Sequence, residues 1–236
     1  LFAREDVSPF TLNAVRGMVG VLLVSWLLQG GRGNLRAVFR EPLLIIRGVL
    51  GGAVLLIAYV TAAHLDLGLA TTLALTNVPF GALIAALALR EKIGWLQVVC
   101  LLTAFAGVPL LVNAEADGGG WDPLVLLGLF GGLVSGFTVV LIRFLGRRHT
   151  AVTIYASQGI FGLVAVVPFA VAAPWPTFGP VYLGMVAGGL VAVCGQLVMT
   201  AAYRSIPVAR GATLQLLVPV IATIGGVVLF EESYAP

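Results

Sequence analysis

The feature of the sequence that most constrains the fold is a long apolar segment that occurs twice, at 68–91 and again at 208–232. When the copies are shifted by 140 positions, Pro79 falls on Pro219 and Glu91 falls on Glu231. A shared proline within the segment and a shared acidic end are more than a shared apolar composition. The duplication predicts a protein built from two related halves.

The composition assigns both halves to a membrane. Hydrophobic residues make up 60% of the 236 positions and charged residues 10%, whereas roughly 25% of a soluble domain is charged. The mean hydropathy is +1.08, and no soluble core of this length could bury so much apolar surface. The sequence therefore predicts an all-α polytopic membrane protein. The 30 glycines agree with this, because small residues let membrane helices approach closely.

Eight apolar stretches are long enough to cross a membrane. They lie at 11–28, 47–63, 69–89, 93–112, 124–142, 152–172, 181–203 and 211–230. Ahead of the fifth stretch, Asp122-Pro123 predicts a helix start, with Asp as the cap and Pro in the first turn.

The basic residues occupy alternate connections between these stretches, which predicts the orientation of the chain. These connections hold 11 of the 13 Lys and Arg residues, namely Arg32, Arg36, Arg40, Arg47, Arg90, Lys92, Arg143, Arg147, Arg148, Arg204 and Arg210. The opposite connections and the two ends hold Arg4 and most of the acidic residues. By the positive-inside rule the basic connections are cytoplasmic, and residues 1 and 236 both lie outside.

The duplication extends beyond the opening pair. The first three stretches correspond to the last three, and Thr11, Ala14, Gly17 and Gly20 recur at a spacing of 142 as Thr153, Ala156, Gly159 and Gly162. The fourth and fifth stretches are left over, so a complete duplication needs one more helix before residue 1 and one after residue 236. We therefore expect an inverted five-plus-five helix repeat with about eight spanning helices present. Residues 1–113 form the first repeat and 114–236 the second. Inverted repeats are a recurring plan of secondary transporters, which hold their substrate near the midplane.

The chain resembles the EamA-type transporters of the drug/metabolite transporter superfamily. The resemblance is carried by Ala14-Val-Arg16-Gly, by Ala62-Ala63 and Ala201-Ala202-Tyr203-Arg204 before the repeated helices, and by a mid-helix Val-Pro with a Glu twelve residues later. It implies ten helices, cytoplasmic termini, a central cavity lined by both repeats, and export or uptake of small metabolites, often amino acids. Gly17 stands where the family often has Phe, and the outer helices of the family are lacking.

Arg16 is the first candidate for substrate binding. It lies about one and a half turns into the first stretch, where an intramembrane Arg is costly unless it is paired or wetted. One interpretation is a handle for a substrate carboxylate. The other is an arginine that extends to the outer interface or bonds helix-end carbonyls.

Uncharged polar residues within the stretches are the other candidates, because Asn and Gln facing lipid would lose hydrogen bonds. They are Tyr59, Thr72, Thr76, Asn77, Gln158, Gln196 and Gln215, with Tyr155 nearer an end. Each could contact substrate or join helices. Pro79 and Pro219 are expected to kink their helices and free a carbonyl in mid-membrane.

Glu91 and Glu231 end the repeated segments. We interpret them as interfacial residues that stop the helix or pair with a basic neighbour, with gating or proton coupling as the alternative. No enzyme motif is found around His64 or His149, and no phosphate-binding loop is present. Cys100 and Cys194 lack metal-binding spacing. We expect no enzyme activity, metal or cofactor.

The sequence thus predicts a secondary transporter in a bacterial cytoplasmic (inner) membrane that moves small polar metabolites, amino acids among them, by alternating access. Its expected partners are the substrate and the lipid bilayer, without nucleic acid, and the oligomeric state is left open. Three alternatives remain: a flippase for a lipid or lipid-linked sugar, a membrane scaffold that does not transport, and a membrane-embedded enzyme.

Overall fold

The computed structural model describes residues 8–65, 67–115, 122–176 and 179–215, together with residues 217 and 221. Over these ranges the regular structure is helical, as the composition predicts. The helices are α1 (Pro9–Gln29), α2 (Leu35–Arg40), α3 (Pro42–His64), α4 (Leu67–Leu75), α5 (Asn77–Leu89), α6 (Trp95–Glu115), α7 (Pro123–Leu145), α8 (Ala151–Ala172), α9 (Pro180–Ser205) and α10 (Val208–Gln215).

Six regions of the described chain are long and apolar enough to cross a membrane. They are Phe10–Gln29, Pro42–His64, Gly68–Leu89, Pro123–Leu145, Ala151–Ala172 and Pro180–Ser205. The predicted number of about eight is not confirmed. The stretch at 93–112 coincides with α6, which is not among the six. The stretch at 211–230 begins in α10 and continues mostly outside the described residues.

The predicted helix start at Asp122-Pro123 is confirmed. The Oδ1 atom of Asp122 accepts a hydrogen bond of 3.0 Å from the backbone N–H of Leu124, and Pro123 opens α7. Pro at this position loses nothing, because the first N–H groups of a helix have no partner within it.

The second span begins earlier than predicted and includes Arg47. Pro42 occupies the first turn of α3 after Glu41, so the helix begins five residues before the predicted start at 47. Arg47 therefore lies about 7.5 Å along the helix and is only 2% exposed. The expectation that it belongs to a cytoplasmic connection is wrong. Its charge favours a loop, but the proline that marks the helix start decides its place.

The third span is broken rather than continuous. It consists of α4 and α5, which are separated at Thr76. Pro79 lies three residues after the break and has no N–H to donate to the carbonyl of Leu75, so one helical hydrogen bond is missing across the break. The kink expected from Pro79 is thus a break near the middle of the span. Pro219 lies outside the described residues.

The first helices of the two halves run antiparallel. Phe10, at the start of α1, stacks on Phe169 near the end of α8, with ring centroids 5.6 Å apart. Just beyond the other end of α1, the backbone N–H of Asn34 donates to Thr153 at the start of α8 over 3.0 Å. Because α1 and α8 are the helices that the repeat equates, their opposite directions are those of an inverted repeat.

The second helix of each half packs on the first helix of the other. α3 runs parallel to α8, with Gly48 against Ser157 and Gly52 against Gly162. In the same way α9 runs parallel to α1. The halves are therefore interlocked across a long interface and do not form separate bundles.

The connections that follow α1, α5, α7 and α9 meet at one end of the bundle. We call this end the basic face, comprising residues 30–34, 90–94, 146–150 and 206–207. The Thr150 hydroxyl donates to the carbonyl of Arg32 over 3.0 Å, and Arg143 bonds both Glu91 and the backbone of Arg204. The alternate connections that carry the basic residues therefore share one side, as the charge pattern predicts.

Candidate functional site

A cavity of about 210 Å³ lies between α3, α4, α5, α7 and α10. We call it the central cavity, because helices of both halves line it. Its lining residues are Val54, Ile57, Ala58, Thr61, Thr71, Ala74, Leu75, Asn77, Gly128, Gly131, Gly132, Ser135 and Gln215. Most of this surface is apolar, with a few polar groups that could orient a small ligand.

Two amides give the central cavity its hydrogen-bonding capacity. The Asn77 Nδ2 atom lies 3.4 Å from the hydroxyl of Ser135, while its Oδ1 atom is buried without a partner. The Oε1 atom of Gln215 accepts a hydrogen bond of 3.2 Å from the hydroxyl of Tyr203, which leaves its NH₂ group for the cavity. The cavity therefore offers an acceptor from the first half and a donor from the second.

The break in the third span lies at the wall of this cavity. Leu75 lines it, and the carbonyl of Leu75 is the group that Pro79 cannot bond. The hydroxyl of Thr76 donates a hydrogen bond of 2.6 Å to the carbonyl of Leu73, which is one of the last carbonyls of α4. Broken helices near the midplane are where transporters expose backbone groups to a substrate.

Close packing shuts the central cavity off from the basic face. The lining positions on α7 end at Ser135, and beyond them the helix enters an apolar cluster. The buried members of that cluster are Leu44, Ala85, Val139, Val140, Leu141, Ile142, Leu145, Ile154, Tyr203 and Val208. Next to the cluster α5 and α7 touch through their backbones, since a Cβ atom on Gly136 would lie 2.6 Å from the backbone N of Gly81.

An ion pair lies beyond this cluster at the basic face. Glu91 Oε1 is 3.3 Å from Arg143 Nε, and Glu91 Oε2 accepts 2.8 Å from the backbone N–H of Val208 at the start of α10. A carboxylate at a helix N-terminus also interacts favourably with the helix dipole. The expectation that Glu91 pairs with a basic residue is confirmed. Glu231 lies outside the described residues.

A second, smaller cavity lies between α1, α3 and α8. We call it the arginine pocket. It has a volume of about 30 Å³ and is lined by Asn13, Arg16, Gly17, Leu55, Tyr155, Gln158, Gly159, Gly162 and Leu163. The guanidinium of Arg16 interacts with Tyr59 and lies near Tyr155. Arg16, which is half-buried, therefore faces a pocket between helices of both halves.

Arg47 joins this pocket through Gln158. The Nη2 atom of Arg47 donates to the Oε1 atom of Gln158 over 2.7 Å, and the Nε2 atom of Gln196 lies 3.4 Å from the same oxygen. The Nε and Nη1 atoms of Arg47 are buried without a hydrogen-bond partner. An arginine in this state is costly, because its charge is desolvated and only partly bonded.

The candidate residues predicted from the sequence thus fall into two groups. Arg16, Tyr59, Gln158 and Gln196 gather around the arginine pocket, whereas Asn77 and Gln215 line the central cavity. Thr76 is buried and bonded to its own helix, and Thr72 is half-buried and lines neither cavity. Whether any of them binds substrate stays a prediction.

Sequence reasoning missed Arg47, Ser135 and Asn13. Pro42 could have revealed Arg47, because a proline is favoured in the first turn of a helix, as at Pro123, and moves the helix start before 47. No local signal distinguishes Ser135 or Asn13 from other small polar residues, since their positions depend on which helices become neighbours.

Comparison with known proteins agrees with this architecture. The sequence pattern of the EamA-like transporter family matches residues 2–113 and again residues 123–235. Proteins named pseudopaline exporter CntI, from two strains of Pseudomonas aeruginosa, are each 28% identical over 197 residues. The alignment covers 80% of this chain and 66% of theirs, so the chain spans slightly less than two thirds of their length. A solved crystal structure has the same fold, with a TM-score of 0.74, 18% identity, and coverage of 97% of this chain and 82% of the other.

Proposed function

The chain belongs to the EamA-like transporter family, and from this premise we propose that it is a secondary transporter of small polar metabolites, with amino acids as the expected class. The proposed path runs through the central cavity. The observation that carries the proposal is the pairing of polar groups from both halves, Asn77 from one and Ser135 with Gln215 from the other, at a broken helix.

The size of the cavity supports a small substrate. Its volume of about 210 Å³ lies below the roughly 300–1,000 Å³ of pockets that hold drug-sized ligands. A cavity below that range suits a molecule smaller than a drug, such as an amino acid. The buried, unpartnered Oδ1 atom of Asn77 favours a ligand with an N–H or O–H donor.

The closed basic face supports alternating access. The apolar cluster and the Glu91–Arg143 pair separate the cavity from that face. In the proposed cycle these contacts part while contacts at the opposite face form, which exposes the same site to each side in turn.

The test is a transport assay on the full-length protein. Cells that express it are challenged with toxic amino-acid and metabolite analogues, and export is measured first because the relatives are named exporters. Pseudopaline belongs in the panel for the same reason. We expect resistance to a defined subset of compounds, lost in Asn77→Leu and Gln215→Leu at unchanged membrane abundance.

Gln29→Leu is the matched control, since it makes the same chemical change at an exposed position at the end of α1. If the wild-type protein inserts well but confers neither resistance nor uptake for any soluble compound, the proposal fails and the flippase becomes the better hypothesis. If Gln29→Leu loses activity as fully as Asn77→Leu, the central cavity is not the path.

A further inference from the structure

The arginine pocket holds positive charge that no carboxylate of the described residues neutralises. Arg16 lines the pocket, and Arg47 donates a hydrogen bond to Gln158, which also lines it. Within the described ranges, carboxylates approach basic side chains at Glu91–Arg143 and Glu41–His149, and neither contact involves these arginines. A charge inside a membrane bundle is stable only when it is paired or solvated.

The pocket also has more hydrogen-bond donors than acceptors. The Oε1 atom of Gln158 already faces Arg47 and Gln196 at 2.7 and 3.4 Å. Its NH₂ group is therefore what it offers to the pocket. Arg47 has two further buried nitrogens without acceptors, and a guanidinium can only donate. The N–H groups of Arg16 and Arg47 outnumber the acceptor oxygens of Asn13, Tyr59 and Tyr155. The partner that would complete the pocket is therefore an acceptor with negative charge.

The volume of the pocket limits what that partner can be. The pocket of about 30 Å³ has room for roughly two waters, since a cavity needs about 10–15 Å³ on this measure to hold one. This admits a halide ion or the oxygens of one carboxylate. A tetrahedral phosphate, with four oxygens around its centre, is too large.

We infer that the arginine pocket binds one small monovalent anionic group, a halide ion or a carboxylate, between α1, α3 and α8. The site is distinct from the central cavity, because Val54, Ile57, Ala58 and Thr61 of α3 face that cavity whereas Leu55 of the same helix faces the arginine pocket. Anion binding here therefore does not depend on the proposed transport path.

Anion-dependent thermal unfolding of the purified full-length protein tests the inference. The background salt is sodium gluconate at constant ionic strength, because gluconate is too large for the pocket. Sodium acetate, acetamide, sodium chloride and sodium phosphate are titrated separately. Acetamide has the shape of acetate without its charge. We expect saturable stabilisation by acetate or chloride, of roughly 3 °C at ten times the dissociation constant, and none by acetamide or phosphate.

Two variants locate the effect. Arg16→Met and Arg47→Met should each abolish the shift. Arg36→Met, an exposed arginine on α2, should retain it. The selectivity series on the unchanged protein remains decisive even if one variant does not fold.

Each outcome has a defined meaning. A shift with acetate and chloride alike, or with chloride alone, supports the site with a free inorganic anion as its ligand. A shift with acetate alone supports it with a solute carboxylate as the ligand. Equal shifts with phosphate and acetate, shifts that persist in both variants, or no saturable shift at all would overturn the inference.

Discussion

Replacing Arg47 by Met measures the energetic state of the arginine pocket directly. In the absence of a fitting anion the Nε and Nη1 atoms of Arg47 are buried without partners, and each such group costs about 1–3 kcal/mol. Met removes both groups and the buried charge, and its flexible side chain fills a similar space. Against this stands the loss of the 2.7 Å hydrogen bond to Gln158, which contributes about 1.5–3 kcal/mol because it is charge-assisted.

We therefore expect Arg47→Met to stabilise the protein in gluconate buffer. Replacing buried charges by apolar residues of similar volume is often stabilising by about 1–4 kcal/mol, and each kcal/mol raises the unfolding temperature by roughly 2–4 °C in a chain of this size. Differential scanning fluorimetry of the purified protein measures this shift. Arg36→Met is the control and should change stability by less than about 0.5 kcal/mol, because Arg36 is exposed.

A double-mutant cycle separates this explanation from a merely structural one. Gln158→Leu alone removes the acceptor of Arg47 and should destabilise the protein by about 3–5 kcal/mol. Arg47→Met combined with Gln158→Leu should recover most of that loss, because the double variant no longer buries an unpaired guanidinium. If Arg47→Met itself destabilises the protein by more than about 2 kcal/mol in gluconate, an effect of the size that loss of a satisfied hydrogen bond to a charged group produces, Arg47 is already fully satisfied and the reasoning is refuted.

Three further changes test other contacts. Glu91→Gln should lower the free energy of unfolding by roughly 1 kcal/mol, because it weakens both the partly exposed ion pair with Arg143 and the hydrogen bond that caps α10. Thermal unfolding measures this change, and an unchanged midpoint would contradict the pairing. Gly136→Ala should lower the free energy of unfolding by more than about 2 kcal/mol, since its Cβ would press on the backbone of Gly81. Gly188→Ala is the control and should be neutral or stabilising, because there is open space around its Cβ. Equal unfolding midpoints for the two variants would contradict the close contact. Pro79→Ala supplies the missing backbone N–H, so it should raise thermal stability and slow transport of whichever analogue the resistance assay identifies; an unchanged transport rate would show that the break has no role in the cycle.

The two repeats and the gathering of the basic connections at one end could be predicted from the sequence, because both depend on local information. A duplicated segment is visible in one dimension, and the side on which the connections lie follows from their charge. The broken third span was only partly predictable. Pro79 signals a disturbed helix, but whether the chain kinks or breaks depends on which groups donate to the carbonyls around it. Here the hydroxyl of Thr76 donates to the carbonyl of Leu73.

The division of the polar residues into two sites could not be predicted. Membrane helices are apolar around most of their circumference, so periodicity does not reveal which face meets which neighbour. Arg16 and Gln158 become neighbours because α1 crosses α8, and Asn77 meets Ser135 because α5 packs on α7. Arg47 was missed because the predicted start of α3 was five residues too late. This error is larger than the one or two residues by which helix ends ordinarily differ.

The position of the arginine pocket follows from the duplication. Arg16 and Gln158 are 142 residues apart, the spacing that relates α1 to α8 in the repeat. In an inverted repeat a two-fold axis relates the two halves, and equivalent positions on α1 and α8 meet where this axis passes between the helices. Arg16 and Gln158 do line one pocket. Two arginines at these matched positions would repel each other, whereas an arginine facing a glutamine leaves room for one anion. An anion held there is bonded by α1 and α3 of the first half and by α8 of the second. Its binding therefore stabilises the packing of the halves on each other, and the same unfolding measurements on Arg16 and Arg47 variants report it.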